Sequence, residues 1–516
     1  MSIIYGILET SSKVSYGLNN QKKFYPFDKS LPIYYVPTKK PFTPHNYYCI
    51  IKHDKIENSK YYGIVENYIG CVGDYSAEKE YLKMISRQKW LSNSKLKNSI
   101  KNNNLNFVDL TSDRTDLTKL ITYSIDPDGC FDIDDAISIE KVDDLKYKIY
   151  IHIADVSSFF DLDHFLEKEI KIRSESIYLY REQINMFPDE IVAEYFTLKE
   201  NKISRAFTLE LNVENNIITS HKFFKSNIVI TKNMSYDQFD KVYHKNQDLV
   251  DLYNIGKELY KSKFQNLENY DSHKLVEIFM IIANTLTAKE IIEFDTSILR
   301  TQEKPDYNKS IIKIKEINKS ISKNILDDYM NVTNSTSAIY KIVSNSDSDR
   351  NYSHFKLGEE LYTHFTSPIR RYVDIHVHRL LSNKFCGTNF KFDINQDNLS
   401  NINLNNKFYK KMAKLSIINK YIFEDNLSYD YINNNGYIFD IIDNKLKIWI
   451  PSLRLTVTHK LFSDKLKNLN IIEKTENMIK IENLESGIIH QYNLLDKIEF
   501  KMVFTRSSKK KYYLQI

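Results

Sequence analysis

Short apolar and aromatic runs separated by turn residues fill the first 85 residues of the chain. The pattern is clearest at 3–8, 33–36, 47–52 and 61–65. Strands of this length and composition, at this spacing, are typical of a small β-barrel. A helical pattern over 77–85 leads into a connector rich in Lys and Asn. We therefore predict a barrel domain over 1–85 and a helical linker over 86–113.

The middle of the chain, from 114 to 430, mixes strand-like runs with long helical patterns. The runs at 120–125 and 146–153 have the character of strands. Ser272 is placed to cap a helix over 274–294, which is apolar nearly all round and should be buried. Pro368 suits the first turn of a further helix. These elements predict one α+β domain.

The last 86 residues, 431–516, return to a strand pattern. Asn435 and Gly436 indicate a turn, and strand-like runs follow at 437–442, 445–450, 479–481, 497–503 and 512–516. Strands of this number fit a five-stranded barrel of the OB type.

Composition narrows the class of protein but does not identify it. The 516 residues carry a formal net charge of only +5, which by itself does not indicate a nucleic-acid-binding protein. Four widely spaced cysteines argue against a zinc site or a disulfide framework. No secretory signal and no apolar run of membrane-spanning length is visible. We expect a cytoplasmic protein with no membrane partner.

The strongest chemical signal is a cluster of carboxylates that follows the run at 120–125. Asp126, Asp132, Asp134 and Asp135 lie within ten residues of one another, with a further carboxylate at Asp128. Clustered carboxylates repel each other and resist burial unless a cation neutralises them. Ligands that are all oxygen indicate a hard cation, Mg²⁺ or Mn²⁺.

Other interpretations of the acidic segment remain open. For an arbitrary Asp-rich stretch, a solvated acidic loop is the simpler explanation, and a structural Ca²⁺ loop is another. An EF-hand is excluded by spacing because it needs Gly at the sixth position and Glu at the twelfth. Counted from Asp126, those positions are Phe131 and Ile137.

The order of residues from Asp126 to Ala136 resembles the signature D-P-x-x-x-x-D-x-D-D-A of the ribonuclease II (RNB) family. The resemblance continues in family order at His152–Ser157, at Arg173–Pro188, more loosely at Arg205–Phe207, and at Leu275–Asn284, Arg300–Pro305 and Tyr362–Arg379. The last stretch, which contains Ser-Pro-Ile-Arg-Arg-Tyr, is nearly identical to the family motif and is very specific.

The resemblance implies a multidomain α+β fold, with a central RNB catalytic domain over 114–430. It implies that the N-terminal barrel is an OB or cold-shock-like RNA-binding domain and that 431–516 is an S1-like OB barrel. The N-terminal endonuclease domain of the larger eukaryotic members has no place in this sequence. The expected activity is Mg²⁺-dependent 3′→5′ exoribonuclease action on single-stranded RNA, releasing 5′-nucleoside monophosphates. We expect a monomer, and no accessory partner can be named.

The resemblance also implies roles for individual residues. Asp134 would orient or deprotonate the attacking water, and Asp126, Asp132 and Asp135 would hold metal, as Asp134 itself could. Arg370 would contact the scissile phosphate, whereas Arg371 could contact RNA or pair with an acidic neighbour. The remaining predicted RNA contacts are a base-stacking Tyr178, a more distant stacking Phe159, Glu277, Lys509 and Lys510.

Some positions have competing explanations or depart from the family pattern. A solvated hairpin turn explains the basic cluster around Lys509 and Lys510 equally well. His152 and His364 are expected to be structural, since neither has an identifiable catalytic partner. Ile278 replaces a glutamate and Gln302 a histidine of the family motifs. The rival function is an RNA-binding protein that has the RNB fold but no catalysis.

Overall fold

A computed structural model describes residues 3–304, 337–343, 351–504 and 512–515. Within these ranges it leaves out 18, 41, 92–94, 97, 99–108, 111–112, 266–269, 391, 393, 424–431, 452–454, 462–468 and 476. The chain divides into two compact units. One comprises Lys89–Glu303 and Ser337–Lys410, and the other comprises the first 88 residues with those from Lys411 onward. The predicted domains are continuous ranges of sequence, whereas these two units are each built from separate segments. The predicted domain boundaries therefore stay predictions.

The first strands close into the predicted barrel. Its strands are β1 (Ile3–Leu8), β2 (Lys22–Pro26), β3 (Tyr34–Val36), β4 (Tyr47–Glu57) and β5 (Lys60–Cys71), in the order β1-β2-β3-β5-β4. Alternate residues of these strands face a small core that includes Leu8, Phe24, Val36 and Ile51. Helix α1 (Tyr75–Ser86) follows, capped by the Asp74 side chain, which accepts a hydrogen bond from the Ala77 N–H.

A seven-stranded sheet forms the centre of the other unit. Its strands are β6 (Thr115–Asp116), β7 (Thr122–Asp126), β8 (Asp135–Asp143), β9 (Lys146–Ala154), β12 (Ile203–Glu214), β13 (Ile217–Val229) and β14 (Lys232–Ser235). The order is β14-β7-β8-β9-β12-β13-β6. The strands predicted from the runs at 120–125 and 146–153 are therefore confirmed. A two-stranded hairpin, β10 (Ile177–Leu179) and β11 (Glu182–Ile184), stands apart from this sheet.

Helices cover the sheet and complete a large apolar core. They are α2 (Phe165–Arg173), α3 (Asp189–Ile191), α4 (Tyr236–Val242), α5 (Gln247–Phe264), α6 (Ser272–Ile291), α7 (Tyr372–Phe385) and the first part of α8 (Gln396–Phe423). The predicted buried helix is α6, which includes the fully buried Leu275 and Phe279. The strands β15 (Ile298–Thr301) and β16 (Ile339–Ile342) form a separate pair.

Two predicted helix starts were wrong. The side chain that caps α6 belongs to Asp271, which accepts a hydrogen bond from the Lys274 N–H, while the Ser272 hydroxyl donates to Asp240. Pro368 lies in a turn before α7 and not within its first turn, because that helix begins only at Tyr372. Both errors involve contacts from elsewhere in the fold: Asp240 engages the Ser272 hydroxyl, and the Ser174 carbonyl accepts the Tyr372 N–H.

The C-terminal strands form two sheets. Strands β17 (Ile432–Ile442), β18 (Lys445–Ile450), β19 (Leu455–Lys460), β23 (Lys497–Phe504) and β24 (Tyr512–Gln515) pair in the order β19-β18-β17-β23-β24. A three-stranded sheet consists of β20 (Leu469–Lys474), β21 (Met478–Asn483) and β22 (Ile489–Asn493).

The turn predicted at Gly436 was wrong, because this residue lies within β17 and pairs with Ile498. A Cβ atom at position 436 would come within 2.5 Å of the Ile448 side chain, so glycine there permits close packing. Across the described part of the chain, no helix is both long and apolar enough to cross a membrane.

Candidate active site

The acidic cluster lies between two neighbouring strands of the large sheet. Strand β7 ends at Asp126 and β8 begins at Asp135, and the segment between them folds back through a turn in which the Cys130 N–H donates to the Pro127 carbonyl. Gly129 has a φ of +72°, which glycine adopts without steric cost. The turn and the two strands thus hold all the predicted carboxylates at one end of the β7–β8 pair.

These carboxylates line a cavity of about 700 Å³. Helix α6, the hairpin β10–β11 and the segment before α7 contribute its other walls. The polar and aromatic lining residues include Asp126, Asp132, Asp134, Asp135, Tyr178, Gln183, Tyr236, Glu277, Asn284, Ser367, Arg370 and Arg371. The structure therefore brings together residues separated by more than 240 positions in the sequence, all within one compact unit.

Asp134 is the most constrained carboxylate of the cluster. It is only 4% exposed, its Oδ1 accepts a hydrogen bond of 2.8 Å from the Ile369 N–H, and its Oδ2 lies 3.3 Å from Nε of Arg370. Burial raises the pKa of Asp134 above its usual range, and the Arg370 guanidinium opposes that shift. The carboxylate is thus fixed from two sides.

Asp126 and Asp135 are two further carboxylates of the cavity whose pKa values burial raises despite the nearby positive charge of Arg370. Burial raises the pKa of Asp126 to about 6 and that of Asp135 to about 8, and the negative charge of Asp126 adds to the shift at Asp135. The Oδ2 atom of Asp126 is buried and has no hydrogen-bond partner in the described part of the chain. A buried carboxylate oxygen without a donor is costly unless a cation binds it.

The fourth carboxylate, Asp132, contacts the hairpin. Its Oδ2 accepts a hydrogen bond of 2.9 Å from the Gln183 side chain and lies 3.5 Å from the Tyr178 hydroxyl. Tyr178 and Gln183 are directly opposite one another across β10 and β11. The Tyr178 side chain is 44% exposed, so one face of the hairpin presents an aromatic ring beside an acidic group.

The donor set suits a hard cation, but its geometry is not that of a preformed cage. In the described residues, no group of three or more His, Cys, Asp or Glu side chains is arranged to hold a metal ion. Two of the carboxylates already have partners. Asp132 accepts a hydrogen bond from Gln183, and Asp134 contacts the Ile369 N–H and the Arg370 guanidinium. The pKa values of Asp126 and Asp135 are raised chiefly by burial and further by neighbouring carboxylates, so these are the groups that a cation would stabilise most.

The two adjacent arginines differ in their partners. Arg371 donates two hydrogen bonds of 2.8 and 2.9 Å to the fully buried Asp374 carboxylate. The Arg370 side chain is 40% exposed, and it donates to the Ser367 hydroxyl as well as approaching Asp134. Arg370 therefore has nitrogens facing the cavity, whereas the Arg371 guanidinium is engaged by an acidic neighbour, one of its two predicted roles.

The predicted stacking role of Phe159 is not supported by its position. The Phe159 ring is 9% exposed, packs edge-on against Phe196 and lies 4.2 Å below the guanidinium of Arg205. It belongs to the hydrophobic core and not to the cavity lining. In this packing the ring has no open face for a base.

The two histidines have contacts that fit the structural role predicted for them. His152 is fully buried between the hydroxyls of Ser138 and Thr208, and burial lowers its pKa to about 3. His364 contacts the Tyr340 hydroxyl, and burial lowers its pKa well below the usual range.

Of the remaining predicted RNA contacts, one lines the cavity and two lie outside the described residues. Glu277 is exposed and lines the cavity, whereas its neighbour Ile278 is buried in the core at 1% exposure. Lys509 and Lys510 lie outside the described residues.

Sequence reasoning did not find Tyr236 or Gln183. Tyr236 is the first residue of α4 and its ring stacks on His273 with centroids 3.7 Å apart. One local signal was available, because Ser235 and Gln238 form a capping box that marks the start of this helix. No comparable signal marks Gln183, whose role depends on the hairpin register.

Comparison with known proteins identifies the family. The family model described as "RNB domain" matches residues 114–384, slightly more than half of the chain. The chain belongs to the RNB family. The matched region contains every cavity-lining residue named above.

Two curated RNB relatives illustrate the degree of similarity. The human protein "Exosome complex exonuclease RRP44" is 27% identical over 459 residues, covering 77% of this chain and 47% of that protein. "Ribonuclease R" of Chlamydia pneumoniae is 28% identical over 320 residues, covering 52% of this chain and 47% of that protein. The chain thus spans about half the length of the curated relatives it matches.

Solved structures share the fold along nearly the whole chain. Mycoplasma genitalium RNase R in complex with ribose-methylated single-stranded RNA has a TM-score of 0.71 at 16% identity, covering 99% of this chain and all of that one. Yeast Ssd1, described as a pseudonuclease, has a TM-score of 0.74 at 14% identity, covering all of this chain and 82% of that one. The predicted fold, an RNB domain with an N-terminal OB-like barrel, is therefore confirmed.

Proposed function

We propose that this RNB protein is a 3′→5′ exoribonuclease that hydrolyses single-stranded RNA stepwise to 5′-nucleoside monophosphates with Mg²⁺ or Mn²⁺. The observation that carries the proposal is the convergence, in one cavity, of four carboxylates, an accessible arginine and an exposed aromatic ring. Phosphodiester hydrolysis needs a positioned water, stabilisation of phosphate charge and a binding surface for the terminal nucleotide.

Each requirement has a candidate residue. Tyr178 would stack on the terminal base, a contact that tolerates any base sequence. The Arg370 guanidinium, whose side chain is 40% exposed, would bind the non-bridging oxygens of the scissile phosphate. Asp134, held by Ile369 and Arg370, would orient the attacking water or accept its proton.

Asp126, Asp132 and Asp135 would supply oxygen ligands for the cation, with Asp134 as a further candidate. The orphaned Asp126 Oδ2 and the raised pKa values of Asp126 and Asp135 support this assignment. When bound, Mg²⁺ lowers the pKa of a ligated water and neutralises charge on the phosphate. The carboxylates of Asp132 and Asp134 would then exchange their present partners in part for the cation.

The N-terminal barrel offers a second surface suited to single-stranded RNA. Tyr16, Tyr35 and Tyr62 form a row in which ring centroids are 5.5 Å and 6.1 Å apart. Each ring has an ammonium group 4.5–5.6 Å from its centroid, contributed by Lys23, Lys60 and Lys55 in that order. Rows of aromatic rings with interleaved cations bind bases and phosphates together, so this face would be a second contact surface for RNA, in a different compact unit from the acidic cavity.

The second candidate function is RNA binding without catalysis. The similarity to the fold of a pseudonuclease, yeast Ssd1, favours it, since the same fold serves a protein described as lacking nuclease function. Against it, this chain retains all four aspartates and the exposed Arg370 in one cavity. A protein selected only for binding has no need of negative charge facing phosphates.

A time course on a 5′-labelled single-stranded RNA distinguishes the two functions. With Mg²⁺ we expect a ladder of intermediates that shortens progressively to a small oligonucleotide, and no reaction in EDTA. A circular RNA of the same sequence is the control and should stay intact. Binding without any shortening, in either Mg²⁺ or Mn²⁺, would support the pseudonuclease, and cutting of the circle would indicate an endonuclease.

A further inference from the structure

The acidic segment between Asp126 and Asp135 is fastened to a residue outside every motif described above. The hydroxyl of Thr197 accepts a hydrogen bond of 2.9 Å from the Ile133 N–H and donates one of 3.0 Å to the Phe131 carbonyl. The next residue, Leu198, donates its N–H to the Ile133 carbonyl at 3.1 Å. Thr197 therefore contacts the backbone on both sides of Asp132 and immediately before Asp134.

The backbone around Thr197 fixes where its hydroxyl points. Helix α3 continues directly into a π-helical turn, Val192–Phe196, and Thr197 ends that turn by donating its N–H to the Val192 carbonyl at 3.0 Å. Such turns occur often at functional sites, where the additional residue redirects the chain. Thr197 is only 3% exposed, so its hydroxyl has no competing solvent.

The segment that carries Thr197 is itself tied to the strand that carries Asp126. The Asn233 side chain donates to the Leu198 carbonyl at 3.2 Å and to the Ser124 hydroxyl at 2.7 Å. Asn233 and Glu200 also exchange two hydrogen bonds between backbone N–H groups and side-chain oxygens. Thr197 is thus a rigid support for the acidic segment.

We propose that Thr197 is a positioning residue for the hydrolytic reaction, and that its hydroxyl sets the placement of Asp132 and Asp134 relative to Asp126 and Asp135. The inference rests on the proposed function, because it concerns the same carboxylates. Without the hydroxyl, a buried N–H and a buried carbonyl lose their partner, and the segment between Phe131 and Ile133 must shift to find another. Loss of a group that orients metal-binding or catalytic residues typically costs about 10- to 100-fold in affinity or rate.

The test compares Thr197→Val, Thr197→Ala and Thr197→Ser. Valine is nearly isosteric with threonine but replaces the hydroxyl with a methyl group. Alanine removes the hydroxyl without introducing that methyl group, and serine retains the hydroxyl. The matched control is Thr208→Val, because the Thr208 hydroxyl is also fully buried with two partners, His152 and Ser226, but lies outside the cavity lining. Three quantities are measured: single-turnover cleavage in Mg²⁺, RNA affinity in EDTA, and hydrogen–deuterium exchange of the peptide containing residues 126–135.

We expect cleavage by the valine and alanine variants to be slower by about 10- to 100-fold, with RNA affinity within about twofold of the parent. The peptide containing residues 126–135 should exchange faster in both variants, because it includes the Ile133 amide that loses its acceptor. Thr197→Ser and Thr208→Val should match the parent in all three measurements.

Three outcomes would overturn the proposal. A folded variant without the hydroxyl could cleave RNA at the parental rate, or the serine and valine variants could lose cleavage activity equally. The third is an exchange rate of the acidic segment that is the same in the variants and the parent. If the parent protein itself cleaves no RNA, the proposed function fails. The exchange measurement still decides independently whether Thr197 holds the segment.

Discussion

Nε of Arg370 lies 3.3 Å from Oδ2 of Asp134, although 235 residues separate Asp134 from the neighbouring Ile369 that binds its other oxygen. The contact joins the acidic segment to the Ser-Pro-Ile-Arg-Arg-Tyr segment. It places the group proposed to orient water beside the group proposed to bind phosphate. Substitutions at Asp134 and at Arg370 can distinguish these two roles.

Asp134→Asn should abolish most cleavage while leaving RNA binding intact. The change is nearly isosteric, so the hydrogen bond from the Ile369 N–H can persist, but a base and a negative charge are lost. We expect a fall of at least about 10²–10⁴-fold in the single-turnover rate. RNA affinity, measured by filter retention on the same preparation, should be equal or slightly higher. Cleavage at the parental rate would exclude the proposed role of Asp134.

Arg370→Ala should weaken both binding and turnover, unlike the substitution at Asp134. Removing a donor to developing phosphate charge costs about 10²–10³-fold in rate. Arg370→Lys keeps the charge but not the planar pair of donors, so it should recover binding better than turnover. Rates and affinities of both variants, measured on one single-stranded RNA, check this. Full activity of Arg370→Lys would show that charge alone suffices.

Tyr178→Ala should reduce affinity for short RNA, whereas Tyr178→Phe should not. Stacking on an aromatic ring contributes about 1–3 kcal/mol per base, which corresponds to about 5- to 150-fold in affinity. Phenylalanine retains the ring and serves as the control for loss of the hydroxyl near Asp132. Binding of a tetranucleotide in EDTA, followed by fluorescence anisotropy, measures the difference. Equal affinities for the alanine variant and the parent would remove Tyr178 from the binding surface.

Substitution of the barrel tyrosines should affect long RNA selectively. Tyr35→Ala combined with Tyr62→Ala removes two rings of the row while leaving the barrel core residues unchanged. We expect weaker binding of a 30-nucleotide RNA and a smaller effect on a tetranucleotide, because only the longer strand can occupy a second surface. Phe24→Leu, a core change in the same barrel, controls for destabilisation. An equal effect on both RNA lengths would argue against the barrel surface.

Without metal, the protein should become less stable as the pH rises from about 5 to 8. Burial raises the folded-state pKa of Asp126 to about 6 and of Asp135 to about 8, above the values expected in the unfolded chain. The folded state therefore binds more protons in this window, and its stability falls as those protons leave.

Thermal unfolding in EDTA at several pH values measures the slope, and Asp126→Asn should flatten it. Mg²⁺ should raise the melting temperature most at the alkaline end. A slope identical in parent and variant would show that Asp126 does not titrate in this range.

The sequence allowed the acidic site to be located because its four carboxylates lie within ten residues of one another. Asp126, Asp132, Asp134 and Asp135 lie in one motif between two strands, and the family resemblance added Arg370 and Tyr178. The short aromatic strands also sufficed to predict the N-terminal barrel. These features are encoded locally, in spacing and periodicity.

Other features depend on tertiary packing and could not be predicted. The burial of Phe159 requires Phe196 and Arg205, which come from other elements, so its local sequence gives no indication of which way the ring faces. Thr197 is 64 residues from its partner Ile133 and carries no chemical signal of its own. Gln183 reaches Asp132 only through the register of the hairpin, which places it opposite Tyr178.

That hairpin has a thermodynamic consequence. Because Gln183 hydrogen-bonds Asp132 and the Tyr178 hydroxyl lies 3.5 Å from the same oxygen, any shift of the ring as it stacks on a nucleotide would change the surroundings of a carboxylate proposed to bind the cation. Coupling between two ligands is reciprocal. Whatever factor a bound RNA end would apply to cation affinity, the cation would apply the same factor to affinity for the RNA end, so one oxygen of Asp132 would link the two proposed ligands.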